Sequence, residues 1–247
     1  MSLAKLALFF VLASSGVAKA LPDLDINTLS TAQKDYFTIG RVTVQEITSQ
    51  IPKNPQLDRP MTGTNLVNPI NQVDPIEHAG KVIKVARDLV ALGEDIYRLV
   101  VKGRPSNTTN YAPISVVPKI GNQPVDLMET ENWKMPVKRT YKASWHNLYG
   151  VEVVALQYSV FYSYGGSYDG KGRYLTSVQI IPEQVKTLWG YDFTATMKLG
   201  GIQNNGTRVN PVAAATILIE YTVSTVVKAE NRVDTFHITG TGAFKKY

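Results

Sequence analysis

Apolar side chains return at every second position through most of this chain, and that spacing constrains the fold more than anything else in it. Val154, Leu156, Tyr158, Val160, Tyr162 and Tyr164 fall in one phase. Trp189, Tyr191, Phe193, Ala195 and Met197 repeat the pattern, as do Ile217, Ile219, Tyr221 and Val223. Phe236, Ile238 and Phe244 close the series, with Gly240 and Gly242 in phase where a bulge or tight crossing is expected. A period of two belongs to a strand with one buried face. The runs are separated by turn-forming stretches, GGSYDGKG at Gly165 to Gly172 and GGIQNNGT at Gly200 to Thr207. Some six or seven strands at this spacing predict a mainly β chain, an antiparallel β-sandwich, with a closed barrel as the second architecture. Trp133 to Trp145 alternates too, with Trp133, Met135, Val137, Tyr141, Ala143 and Trp145 on one side. Arg139 interrupts that side, so it is expected to be paired or near an edge.

One stretch reads differently. From Asp74 to Gly103 the apolar residues Ala79, Val82, Ile83, Ala86, Leu89, Val90, Ile96 and Val100 fit one helical face. Asp74, Pro75 and Glu77 form a start signal, and Gly103 with Pro105 a stop. The expectation is one long amphipathic helix over 74–103, packed on or beside the sandwich.

Met1 to Ala20 has a lysine near its start, an apolar run from Leu6 to Ala13, and the small-x-small sequence Ala18-Lys19-Ala20. This predicts a secretory signal peptide over 1–20 and export to the periplasm or the cell exterior. Residues 21–73 read as an extended, proline-rich leader, with a candidate strand at Phe37 to Ile47. The β-domain is expected over 104–247.

The formal charge is +6 and falls to about +4 without Lys5 and Lys19 of the expected signal peptide. That scattered excess does not point to nucleic acid. No cysteine is present, which excludes disulfides, thiolate metal sites and a cysteine nucleophile. His78, His146 and His237 stand at no metal-ligand spacing, and no nucleophile elbow, zinc-protease, P-loop or dinucleotide motif occurs. No catalytic residue, metal or cofactor is therefore assigned. Asn107-Thr108-Thr109 and Asn205-Gly206-Thr207 match the glycosylation pattern and are read as turn chemistry.

Two groups stand out as candidate binding residues. Lys134, Lys138 and Lys142 form a basic row on one strand face, which on an edge would block aggregation or meet an anionic partner. Trp145, Tyr149 and Tyr168 could together present aromatic area to a sugar or a protein.

Several segments also carry a resemblance. LVALGEDIYRLVVKGRP, NLYGVEVV, YGGSYDGKGRYLTSVQIIP, LWGYDF, NPVAA and FHITGTGAFK, over about the last two-thirds of the chain, resemble a group of uncharacterised exported proteins of Gram-negative bacteria. The resemblance implies an exported protein with a helix followed by a β-domain. It supplies no activity and no site residue. The leader from Leu21 to Asn71 falls outside it.

The combined expectation is a non-enzymatic binding or structural protein of the envelope or exterior, with a protein or glycan partner. The first alternative is a hydrolase of envelope polymers using a pair from Asp126, Glu129, Glu131 and Asp169. The second is a membrane-active protein. The sequence does not fix the oligomeric state.

Overall fold

A computed structural model of the chain describes residues 25–48, 82–86, 88–93, 96–102, 104–106 and 113–247. Over these residues the protein is mainly β and antiparallel, with two sheets packed as a sandwich. The strands are β1 (Ile39–Glu46), β2 (Val82–Ala86), β3 (Leu89–Leu92), β4 (Ile96–Lys102), β5 (Arg104–Ser106), β6 (Ile114–Ile120) and β7 (Gln123–Pro124). They continue as β8 (Val137–Asn147), β9 (Glu152–Tyr168), β10 (Lys171–Thr187), β11 (Asp192–Asn204), β12 (Ala213–Ser224), β13 (Ala229–Thr239) and β14 (Phe244–Lys246). One sheet runs β1-β8-β9-β10-β6-β3-β2, with β7 on β6, and the other runs β14-β13-β12-β11-β4-β5.

The alternation read from the sequence selects the core. Val154, Leu156, Tyr158, Val160 and Tyr162 of β9 are buried against Phe193 and Ala195 of β11 and Ile217, Ile219, Tyr221 and Val223 of β12. Aromatic pairs tie the layers together: Trp145 lies 5.4 Å from both Phe193 and Tyr221, and Tyr158 lies 6.2 Å from Tyr221. Such pairs add about 0.5–1.5 kcal/mol each beyond the area they bury. Arg139 is paired as expected, with Glu46 at 3.3 Å and its guanidinium 4.6 Å from the Phe244 ring centre.

The long helix over 74–103 is not formed where that segment is described. Residues 82–86, 89–92 and 96–102 are strands, and they feed both sheets. The pattern misled for a physical reason. Leu89 and Ala91 face the main core, while Val90 and Leu92 pack on the other side with Val117 under Leu127. A strand buried on both faces is a continuous apolar run, which periodicity alone cannot tell from a helix. β-Branched side chains and the left-handed Asp88 (φ 60°) at the β2–β3 turn decide the matter. The helix-start signal at 74–77 and His78 lie outside the described residues, as does the signal peptide.

The helix that does form is α1, Thr31–Phe37. Ser30 and Gln33 make a reciprocal capping box, with Ser30 Oγ accepting from Gln33 N at 3.3 Å and Gln33 Oε1 from Ser30 N at 2.8 Å. The helix plugs one end of the sandwich. Phe37 is buried near Trp189 and Tyr191, Leu148 N donates to Thr38 O, and Thr225 Oγ1 donates to Phe37 O. β1 follows directly and pairs with β8, so this part of the expected leader belongs to the sandwich. The proline-rich stretch from Ile51 to Asn71 lies outside the described residues.

Two turns are tighter than expected. β9 and β10 run on to Tyr168 and Lys171, leaving Asp169 (φ 50°) and Gly170 (φ 70°) as the turn. That is the Asp-Gly chemistry of a two-residue hairpin. β11 continues through Gly200 and Gly201 to Asn204. The tight crossing expected near Gly240 is real: a Cβ there would fall 2.0 Å from the Arg173 carbonyl oxygen.

Candidate functional site

The alternation that buries one face of β8, β9 and β10 turns polar side chains onto the other. From β8 come Lys138, Thr140, Lys142 and Ser144, and from β9 Gln157 and Ser159. A register shift between Pro182 and Gln184 changes the phase of β10, so Glu183, Gln184 and Lys186 all reach this face. Lys142, Glu152, Ala155, Gln157, Gln184 and Lys186 line a groove of about 170 Å³.

Each glutamate on this face is engaged. Glu183 Oε1 lies 2.7 Å from Lys138 Nζ and accepts from Ser159 Oγ at 2.6 Å, while Oε2 accepts from Gln157 Nε2 at 2.7 Å. Ser159 is in turn 2.7 Å from Thr140 Oγ1. Glu152 Oε2 lies 2.8 Å from Lys142 Nζ and accepts from Ser144 Oγ at 2.8 Å. Burial pushes both carboxyls up. The hydrogen bonds from Lys138, Ser159 and Gln157 outweigh it at Glu183, and those from Lys142 and Ser144 at Glu152, so both are held below the usual carboxylate range. At neutral pH these groups accept hydrogen bonds and do not deliver protons. Lys186 adds a positive charge beside Glu152 and makes no ion pair among the described residues. The face is thus preorganised and carries three lysines against two glutamates.

The residues singled out from the sequence divide. Lys138 and Lys142 are on this face. Lys134 precedes β8 and is exposed elsewhere, and β8 lies between β1 and β9, so the lysines do not guard an edge. Trp145 is 1% exposed in the core and cannot join a surface patch. Tyr149 is 54% exposed beside α1, where its hydroxyl donates to Ala32 O at 3.1 Å. Tyr168 packs partly onto the core at the opposite end of β9. The aromatic patch therefore does not assemble.

Asp126, Glu129, Glu131 and Asp169 are all exposed. Asp126 caps the short 3-10 turn Leu127–Glu129 by accepting from Met128 N at 2.9 Å, Glu131 bridges Ser167 through its backbone, and Asp169 sits in the hairpin turn. His146 is part of β8 and not of a turn; His237 contacts Thr216 Oγ1 at 3.1 Å. Among the described residues no three or more His, Asp or Glu side chains gather as metal ligands. No described helix is long and apolar enough to cross a membrane.

The sequence reading missed a second polar cluster, between the sheets. Asp234 of β13 is 1% exposed and faces inward. Its Oδ2 accepts from Tyr221 at 3.1 Å and Tyr158 at 3.5 Å, and its Oδ1 lies 3.4 Å from both Arg232 and Lys246. Burial raises the phenols of Tyr158 and Tyr221 well above their ordinary value. The signal was there: Asp234 is in phase with Phe236 and Ile238.

No protein family, curated protein or solved structure matches this chain.

Proposed function

We propose that the protein is an exported, non-enzymatic binding module whose ligand face is the outer surface of β8, β9 and β10. The reading rests on one observation, the groove between Lys142, Glu152, Gln157, Gln184 and Lys186. Glu152 in the groove and Glu183 beside it are already ionised and paired, so the groove is suited to holding a polar ligand and not to acid–base chemistry. Its two carboxamides donate to and accept from hydroxyl groups. The excess lysine charge favours a ligand that also carries carboxylates, and a uronic-acid-containing glycan has both. Residues 1–20 support export, which puts such polymers within reach.

Calorimetric titration of the purified chain with acidic and neutral oligosaccharides tests this. Binding of the acidic series, weakened at least about tenfold by Lys186→Ala and by Gln184→Ala, is expected. Heat that is absent for every glycan, or unchanged in both variants, would sink the reading. Cell fractionation with protease accessibility tests the location, and a cytoplasmic pool would contradict it.

A further inference from the structure

β13 is longer than the strand that covers it. β14 pairs with Phe236, His237 and Ile238, and Tyr247 N donates to Thr235 O at 2.9 Å. Below that point no described strand lies beside β13 on this side.

The direction of its backbone groups follows from the hydrogen bonds. Thr239 N donates across to Ala243 O, and Thr235 O accepts from Tyr247, so odd-numbered residues of β13 turn N–H and C=O toward β14. Gly240 N donates to Ala213 O and Lys228 O accepts from Thr225 N, so even-numbered positions face β12. Ala229, Asn231 and Val233 therefore present an open row of backbone donors and acceptors. Ala229 and Asn231 are exposed, and Val233 is 51% exposed. An open edge is a template for another strand.

The side chains name the strand. Lys228, Glu230, Arg232 and Asp234 alternate in sign at every second position. Turned end for end about Asn231, the series sets Glu230 against Arg232, while Lys228 falls opposite Asp234, which is 1% exposed and turned into the core. The open row of Ala229, Asn231 and Val233 is centred on Asn231, and so is the charge pattern.

We infer that the lower half of β13 is the seam of a homodimer, in which two copies pair antiparallel about Asn231 and the second sheet continues from one subunit into the other. In that register Asn231 faces its own copy and Ala229 faces the partner's Val233, both as hydrogen-bonded pairs. Glu230 then faces the partner's Arg232 at the closer, non-hydrogen-bonded spacing. The same geometry is isologous and closed, so pairing stops at two copies and does not propagate. In the single subunit Glu230 lies beside Lys228 and Arg232 beside Asp234 on their own strand; when they turn to the partner, Lys228 is left to solvent, and Asp234 keeps Lys246 and the hydroxyls of Tyr158 and Tyr221.

Sedimentation velocity of the purified chain over a concentration series is the test. A monomer–dimer equilibrium is expected. Asn231→Pro removes an outward N–H that the ladder to β12 does not use, and should yield a folded monomer with an unchanged near-ultraviolet circular dichroism spectrum. Glu230→Arg sets like charges against each other across the seam, as does Arg232→Glu, and each should weaken dimerisation at least about tenfold. Mixing those two variants sets opposite charges together again and should restore a heterodimer. A wild-type chain that stays monomeric at every concentration overturns the proposal, as does a dimer untouched by Asn231→Pro. Variants that fail to pair when mixed overturn the register.

Discussion

The Tyr221 hydroxyl donates to Asp234 Oδ2 at 3.1 Å, in an interior where the carboxylate is 1% exposed. The two residues sit on neighbouring strands, β12 and β13, and Tyr158 reaches the same oxygen from the opposite sheet. Arg232 and Lys246 balance the charge on Oδ1. A buried ion of this kind is tolerable only while its partners are in place.

Removing the carboxylate should therefore cost more than it would on the surface. Asp234→Ala is expected to destabilise the fold by about 3–5 kcal/mol, because two cations and two phenols lose their acceptor together. Tyr221→Phe should cost about 1.5–3 kcal/mol, the range for a hydrogen bond to a charged group. Urea unfolding followed by tyrosine and tryptophan fluorescence measures both. Equal, small losses would mean that the cluster is not cohesive.

The same burial makes a prediction at high pH. Tyr158 and Tyr221 are raised above their ordinary 10.0 chiefly by desolvation. A group whose acid form is favoured by folding contributes stability below its unfolded value, and loses it as pH rises toward its folded one. Absorbance titration follows the ionisation of the phenols with pH. Tyr158 and Tyr221 should ionise only as the chain unfolds. A single titration near the ordinary value, with folding intact, would contradict the cluster.

At low pH the outer face should respond in the opposite sense. Burial works to raise Glu183 and Glu152, but bonds from Lys138, Ser159 and Gln157, and from Lys142 and Ser144, hold both lower. Their contribution is complete above the unfolded carboxyl value of 4.5 and is lost as pH falls through the folded one. A thermal-stability profile below that value should be flatter for Glu183→Gln than for the parent. Parallel profiles would show that Glu183 contributes nothing to the acid dependence.

Trp145 and Tyr149 separate core from surface. Trp145→Ala should cost about 3–5 kcal/mol, because the indole packs between Phe193 and Tyr221 and the layers cannot close over its absence. Tyr149→Ala loses one exposed hydrogen bond to Ala32 O and should cost about 1 kcal/mol or less. Comparable losses at both positions would mean that the turn bearing Tyr149 is part of the cooperative core.

Gly240→Ala should be severe for a small change. The added methyl would lie 2.0 Å from the Arg173 carbonyl oxygen, which is backbone and cannot rotate away. A loss of about 1–3 kcal/mol is expected from overpacking alone. Chemical denaturation checks it, and a variant as stable as the parent would show that β10 can shift there.

The sequence alone determined the β-character, the antiparallel pairing of consecutive long strands, and most of the core. Each of these follows from period-two alternation and local turn chemistry, as in Tyr158, Phe193 and Tyr221 on one side and Asp169-Gly170 between two strands. Lys138 and Lys142 of the candidate face were legible for the same reason. Tertiary structure decided the rest. Whether residues 82–102 wind into a helix depends on what covers their second face, and Val117 and Leu127 are distant in sequence from Val90 and Leu92. Whether Trp145 is buried or offered to a ligand depends on the opposing sheet, because alternation assigns a side chain to a face and not to a depth. The pairing of Lys142 with Glu152, of Lys138 with Glu183, and of Asp234 with Tyr158 is set by register across strands. Register is a relation between segments, and no single segment carries it.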